Sequence, residues 1–191
     1  MMFASPVDFV IPALWLGWGA FWMAAALYTK PTRWRESLGS QALHIIPLLL
    51  CAGLLAQGRW LPPILTAPAV SAGQPLFVLS ALFVAAGLAF SVWARVHLGR
   101  NWSGTVTVKE HHALVCTGPY SLVRHPIYTG LLLALIGTAM AIGEWRGVLG
   151  IGCALVGFLW KIRVEESRMR LTFPEYERYR KNTAALFPLI Y

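Results

Sequence analysis

Charged residues are scarce in this chain. They make up 13% of its 191 residues, whereas hydrophobic residues make up 57%. Because a soluble domain carries about a quarter charged residues, this composition argues against a soluble protein and predicts a polytopic membrane protein. Acidic residues are rarer than basic ones, with eight Asp and Glu against 16 Lys and Arg. The basic residues lie between apolar runs rather than on one polar surface, so we expect contact with anionic membrane lipid and no nucleic-acid partner.

Cysteine is also rare. Of the three cysteines, Cys51 and Cys153 fall in apolar runs and Cys116 in a polar loop, with no CxxC pair. This argues against both a disulfide framework and a Cys-based metal site. Four histidines lie in or near polar segments, namely His97, His111, His112 and His125. Their spacing fits no zinc pattern, so we expect no metal. The sequence also lacks a serine elbow or nucleophilic Cys motif, which argues against a His-based hydrolase.

Long uncharged windows are what the sequence does contain. A helix needs about 20 apolar residues to cross a bilayer, and five windows qualify or nearly do, at 9–29, 37–58, 76–95, 125–143 and 147–160. The last is only about 21 Å long at the rise of an α-helix. We therefore expect it to continue through its flanks, with Arg146, Lys161 or Arg163 snorkelling. The first window lacks a basic leader and is interpreted as a retained span.

These windows predict an all-α fold with about five transmembrane helices in a single membrane domain, residues 1–191. Residues 1–95 would hold the first three spans. The fourth and fifth spans, joined by the short "GEWRG", should form an antiparallel hairpin over residues 125–164. Several small residues should allow close helix contact there. They are Gly130, Gly137, Gly143, Gly150 and Ala154.

The distribution of Lys and Arg predicts the orientation. Three lie in 30–36, four in 95–124 and seven in 161–191, whereas the alternate loops hold only Arg59 and Arg146. By the positive-inside rule the N-terminus faces outward and the C-terminus lies in the cytoplasm. The two polar segments, 95–128 and 161–182, then share the cytoplasmic side.

The first polar segment has two interpretations. Its "GTVTV" stretch suits a short extended run, and Pro126 suits the first turn of the fourth span. Unpaired backbone amides at that helix start could meet an anionic group. Alternatively, this is a membrane-entry turn, with Arg124 on lipid phosphate and Tyr120 and Tyr128 as interfacial aromatics.

The second polar segment also allows two interpretations. If the fifth helix continues past Trp160, Lys161 and Glu165 lie one turn apart on one face, and Glu166 and Arg170 on another. Such pairs are typical of a salt-bridged cytoplasmic helix. Two adjacent glutamates in a basic segment would also suit binding of a cationic group.

Aromatic residues recur every three positions after this helix, at Phe173, Tyr176 and Tyr179. This spacing predicts a short C-terminal helix that lies on the membrane surface.

Two motifs together resemble a known family. "HHALVCTGPYSLVRHPIYTG", followed about 35 residues later by "EESRMRLTFPEYERYRKNTAALFP", is similar to the isoprenylcysteine carboxyl methyltransferase-like family over roughly residues 95–188. Each motif alone is weak, but their order and spacing make the combination specific.

The resemblance implies an integral membrane enzyme that uses S-adenosylmethionine and methylates a lipophilic acceptor at the cytoplasmic face. Residues 96–191 would form the cofactor-binding half, with residues 1–95 as scaffold and lipid-facing side. Glu165 would contact the methionine ammonium, with Glu166 beside it. The remaining implied cofactor contacts are His112, Ala113, Leu114, Val115, Tyr120, His125, Pro126, Ile127 and Tyr128.

Two positions depart from the family pattern. Lys161 stands where the family often has an arginine associated with the substrate carboxylate, and Thr105 falls near a frequent amide position. The resemblance thus gives Lys161 and Glu165 as the catalytic pair. Lysine keeps the charge but lacks the guanidinium fork that binds a carboxylate through two nitrogens, so both departures concern the acceptor more than the cofactor.

Other functions stay open at this point. The acceptor could be a phospholipid amine, a small acid or a thiol. Membrane sterol and isoprenoid reductases that use NADPH carry a similar Arg-His-x-x-Tyr-x-Gly element, and a non-enzymatic scaffold is a third reading. The proline of "RHP", the preceding "GPY" and the tandem glutamates favour the methyltransferase.

Overall fold

The computed structural model describes residues 9–27, 32–35, 37–56, 58, 60–70, 73–99, 102, 107–109 and 114–188. Its elements in chain order are α1 Val10–Ala26, β1 Thr32–Arg35, α2 Leu38–Ala56, α3 Pro63–Thr66, α4 Gln74–Leu98, β2 Thr107–Lys109, α5 Pro119–Leu122, α6 Pro126–Ile142, α7 Trp145–Thr172 and α8 Tyr176–Asn182. Within this described part the fold is helical apart from one antiparallel ribbon of β1 and β2. β2 lies partly in the "GTVTV" stretch that was expected to be extended.

Three of the described helices are long and apolar enough to cross a membrane, namely α2, α4 and α7. α1 and α6 are apolar but have 17 residues each, at the lower end of the range for a span. The membrane character that composition predicts therefore holds. For α1 and α6, spanning stays a prediction.

Small residues bring α6 and α4 into backbone contact. A Cβ added to Gly130 would lie 2.5 Å from the carbonyl oxygen of Gly87, and one added to Gly137 would lie 2.6 Å from that of Ser80. The expected close helix contact is confirmed, and the partner helix is α4. Gly143 has another role, because it ends α6 with a φ of +65°, a conformation that glycine adopts readily.

The expected hairpin of α6 and α7 is present. A Cβ on Gly147 of α7 would lie 2.9 Å from the Cβ of Ala139 of α6, so the two helices meet immediately after their connection. The other side of α7 packs on α2, where Gly150 faces Leu55 and Gly157 faces the carbonyl of His44. α7 thus lies between α2 and α6.

Two arginines donate hydrogen bonds to backbone carbonyls at the C-terminal ends of other helices. Arg95 of α4 donates to the carbonyl of Ala25 in α1, at 2.5 Å. Arg146 of α7 donates to the carbonyl of Leu54 in α2, at 2.7 Å, and forms an ion pair with Glu144. α7 does extend through its charged flanks as expected. The Arg146 guanidinium, however, reaches the C-terminal carbonyls of α2, where a cation is favourable.

The C-terminal segment packs on the protein. Phe173 is 9% exposed and Tyr176 3% exposed, and the Tyr179 hydroxyl donates to the carbonyl of Tyr120 at 2.5 Å. The short helix is present as α8, and its location on the membrane surface stays a prediction, although the rings that suggested it are buried or half-buried in the protein. Burial against protein thus removes the apolar rings of Phe173 and Tyr176 from solvent, and the Tyr179 hydroxyl has a backbone acceptor.

Candidate functional site

His125 immediately precedes α6, and Pro126 dictates its backbone. A residue before proline is disfavoured in the helical region, and His125 accordingly has φ −123° and ψ 60°. Pro126 occupies the first helical position, as expected, and is buried. This places the imidazole outside the helix, directed towards α7.

The backbone amides at this helix start already have partners. Arg124 and His125 donate to the carbonyls of Ala184 and Ala185, at 2.8 and 3.0 Å. Tyr128 and Thr129 donate to the carbonyl of His125, at 3.0 and 3.1 Å. The expectation of free amides that meet an anionic group is therefore wrong for these residues. For Arg124 and His125 the reason is tertiary, because the C-terminal segment pairs with the chain at Val123. For Tyr128 and Thr129 the acceptor is the local carbonyl of His125.

The two glutamates of α7 meet the residues before and within the first turn of α6. α7 continues helically past Trp160 to Thr172, as expected. The Tyr128 hydroxyl donates to Oε1 of Glu165 at 2.6 Å. His125 lies between the two carboxylates, with Nδ1 3.4 Å from Oε2 of Glu165 and Nε2 3.3 Å from Oε1 of Glu166.

The electrostatics of this cluster favour a charged imidazole. Burial lowers the pKa of His125, but hydrogen bonds and charge from Glu165 and Glu166 outweigh it, so the pKa lies above its ordinary value. Both ring nitrogens face carboxylate oxygens, an arrangement in which the imidazolium donates twice.

Arginines surround Glu166. Arg124 donates from Nε to its Oε1 at 2.8 Å, while Arg180 and Arg170 approach its Oε2 at 3.5 and 3.8 Å. Arg124 also donates to the carbonyls of Arg180 and Thr183. The expected pairing of Glu166 with Arg170 is confirmed. The placement of Arg124 on lipid phosphate is wrong, because its side chain is 5% exposed and committed to protein groups.

The rings of His125, Tyr128 and Phe158 form a stacked row that leads away from the two glutamates. The His125 ring stacks on Tyr128 at 5.6 Å between centroids, and Tyr128 stacks on Phe158 at 5.0 Å. The Lys161 ammonium lies 5.5 Å from the centre of the Tyr128 ring, within cation–π range. Lys161 lies one helical turn before Glu165, and both side chains contact Tyr128.

Tyr120 lies at the edge of this cluster. It is 8% exposed, and burial together with the nearby Glu165 carboxylate holds its pKa above the usual range, so it stays neutral. Its neighbour His97 was considered only as a metal ligand. His97 bonds to Thr117 at 2.9 Å and its ring stacks on Tyr120 at 6.3 Å.

The structure brings together five of the residues singled out from sequence, namely His125, Tyr128, Lys161, Glu165 and Glu166. Leu114, Val115 and Ile127 are half-buried near α5 and in α6. His112, Ala113 and Thr105 lie outside the described residues. Within the described part of the chain, no group of three or more His, Cys, Asp or Glu could hold a metal ion.

Sequence reasoning missed the roles of Arg124, Arg180 and Thr183. No local pattern reveals them, because Arg124 meets its partners across 42 to 59 residues of chain.

A protein-family model matches part of this chain. The model of the isoprenylcysteine carboxyl methyltransferase family matches residues 79–171. The match begins inside α4, earlier than the resemblance in sequence motifs, and ends in the last turn of α7. It contains Arg124, His125, Tyr128, Lys161, Glu165 and Glu166. Arg180 and the backbone carbonyls of Arg180 and Thr183 lie after the matched range.

Curated relatives match over similar lengths. The protein-S-isoprenylcysteine O-methyltransferase of Schizosaccharomyces pombe is 36% identical over 101 residues, 51% of this chain and 43% of the relative. The cobalt-zinc-cadmium resistance protein CzcN of Cupriavidus metallidurans is 33% identical over 94 residues, 48% of this chain and 43% of the relative. The nickel-cobalt-cadmium resistance protein NccN of Alcaligenes xylosoxydans xylosoxydans is 30% identical over 113 residues, 58% of this chain and 52% of the relative.

The chain spans about half the length of the curated relatives it matches. The range matched by the family model, residues 79–171, includes His125 and Glu165. Over residues 79–171 this chain is similar to the isoprenylcysteine carboxyl methyltransferase family.

Proposed function

We propose that this chain is an S-adenosylmethionine-dependent methyltransferase that acts on a lipophilic acceptor at the cytoplasmic face of a membrane. The observation that carries the proposal is the meeting of two distant polar segments at Glu165. One carboxylate oxygen accepts from Tyr128, and the other faces His125. The family match and the methyltransferase names among the relatives support the reaction type.

The residues present fit the chemistry of the cofactor. S-adenosylmethionine, when bound, supplies a methyl group activated by its sulfonium centre. Glu165 is the group best suited to its ammonium, because its side chain is 19% exposed and sits among aromatic rings. A carboxylate beside ring faces is a favourable environment for small organic cations. Leu114, Val115, Tyr120, Pro126 and Ile127 would complete the walls, while His112 and Ala113 stay predicted contacts.

Lys161 is suited to the acceptor. Its ammonium lies over Tyr128, one turn from Glu165, and attracts an anionic headgroup such as a carboxylate or thiolate. An anionic nucleophile needs no general base for methyl transfer, so positioning and exclusion of water would account for most of the rate. The apolar faces of α2 and α6 beside α7 offer the hydrophobic tail of such an acceptor a lipid-like surface.

Charge and topology support the proposed location. The end of α4, the start of α6 and the C-terminal part of α7 lie at one end of the helix bundle. Their flanks carry most Lys and Arg, which supports a cytoplasmic site.

We propose the acceptor only as a class, a lipophilic acid or thiol. The relatives are named both for isoprenylcysteine methylation and for metal resistance, so no single acceptor follows from them.

The test is calorimetric binding of the purified protein in detergent to S-adenosylmethionine, its demethylated product and NADPH. We expect the first two to bind and NADPH not to bind. Binding of NADPH alone would favour a reductase, and binding of none would favour a scaffold. Incubation of a membrane lipid extract with radiolabelled methyl donor then identifies the acceptor class by the labelled lipid.

A further inference from the structure

The imidazole of His125 is bracketed by carboxylates. Its Nδ1 lies 3.4 Å from Glu165 and its Nε2 lies 3.3 Å from Glu166. A neutral imidazole has a single N–H and would aim the lone pair of its other nitrogen at a carboxylate oxygen. Only the imidazolium donates at both positions. The geometry therefore requires a protonated His125 for both contacts to be attractive.

The two glutamates differ in how much of their bonding capacity is in use. Glu166 is 8% exposed, and Arg124, Arg170, Arg180 and His125 surround its two oxygens. Glu165 has a tyrosine hydroxyl and one histidine nitrogen, and its side chain is more exposed. Glu166 is thus oriented by protein groups, whereas Glu165 keeps capacity for a ligand.

We propose that Glu166 is a positioning residue, anchored by Arg124 and Arg180, that holds the His125 imidazolium in the orientation which presents Glu165 to the cofactor. This inference rests on the proposed function for the identity of the ligand. It departs from the expectation that Glu166 itself contacts the cofactor, because its oxygens already face arginines and His125.

The charge balance around His125 explains why Glu166 matters. From α7, His125 faces Glu165 and Glu166, with Lys161 one turn further. From α6 it faces the Tyr128 ring, and behind Glu166 stand Arg124 and, from the α8 segment, Arg180 and Tyr176. Loss of one His125 proton would leave a lone pair against one of the two carboxylates, so one of the two contacts that hold the imidazole would be lost.

The first test measures the protonation of His125 directly. Nitrogen-labelled histidine in detergent-solubilised protein is titrated by NMR, and the His125 signal is assigned by its absence in His125→Asn. We expect the titration midpoint of His125 to fall by about 1 pH unit or more in Glu166→Gln. The matched control is Glu177→Gln, since Glu177 pairs with Arg170 and Arg180 but is half exposed and not in contact with His125. An unchanged midpoint in Glu166→Gln would overturn the inference.

The second test separates positioning from general structural support. We expect Glu166→Gln to bind S-adenosylmethionine with near wild-type affinity at a pH below the His125 midpoint that NMR gives for this variant, and about tenfold more weakly at a pH above that midpoint. Equal weakening at both pH values, or none at either, would overturn the inference. Wild-type protein that binds no S-adenosylmethionine would instead overturn the proposed function, while the NMR midpoints would still decide whether Glu166 controls His125.

Discussion

The hydroxyl of Tyr128 donates a 2.6 Å hydrogen bond to Oε1 of Glu165. This bond joins the first turn of α6 to the C-terminal part of α7, across 37 residues of chain. It orients one carboxylate oxygen, and His125 orients the other. The relationship makes Glu165 a fixed acceptor at the edge of an aromatic stack, and it leads to the first prediction.

Tyr128→Phe keeps the ring stacked on Phe158 but removes the hydroxyl. Because a hydrogen bond to a charged group contributes about 1.5–3 kcal/mol, we expect affinity for S-adenosylmethionine to fall by about tenfold or more. Calorimetry in detergent measures this change. Thermal stability close to that of the wild type would show that packing is retained, and unchanged affinity would contradict an orienting role for the hydroxyl.

Glu165→Ala should abolish methylation and S-adenosylmethionine binding while expression and membrane insertion stay intact. The physical reason is loss of the carboxylate that the site offers to a cationic group. Glu175→Ala is the control, because Glu175 is exposed at the start of α8. Retained cofactor affinity in Glu165→Ala would count against the assignment of Glu165 as the ligand.

Lys161→Arg should preserve methyl transfer better than Lys161→Ala, since positive charge near the acceptor matters more than the shape of the group. Turnover with the labelled acceptor is the measurement, and cofactor affinity should be similar in the two variants. If both variants turned over equally fast, Lys161 would have no role in the site.

Stability should depend on pH through His125. Burial lowers the pKa of this residue, but the interactions with Glu165 and Glu166 raise it by more, so its folded pKa exceeds the unfolded value. The resulting stabilisation is fully present below the unfolded pKa, about 6.5, and is lost as pH rises through the folded pKa. We expect the Tm of the wild type to fall towards alkaline pH more steeply than that of His125→Gln. Parallel curves of Tm against pH would refute this coupling.

The α4–α6 contact should not tolerate a methyl group. In Gly130→Ala the new Cβ would meet the backbone oxygen of Gly87 at 2.5 Å, so the helices must separate, at a cost of about 1–3 kcal/mol. Gly152→Ala is the matched control, because a Cβ there meets nothing within 4 Å. Thermal unfolding in detergent compares the two. Equal Tm values for both variants would show that this contact is loose.

Some features of the site follow from the sequence because they depend on neighbouring residues. Pro126 starts α6 and places His125 outside the helix by local sterics. The helical spacing of Lys161 and Glu165 depends only on α7 continuing past Trp160. Features that need a partner from elsewhere were predicted less well. The free amides expected before α6 are taken by Ala184 and Ala185.

By itself the sequence determined the apolar helical character, the hairpin of α6 and α7, and the segments in which polar groups collect. Hydropathy, proline sterics and helical periodicity are properties of contiguous residues, so they can be read before any folding. Tertiary structure alone decided that Arg124 reaches Glu166 instead of lipid, that Tyr176 turns inward, and that His125 stands between two carboxylates. Each of those outcomes depends on which segments pack together. Close contact between small residues of different helices and long-range pairing of charges in a buried site decide this packing.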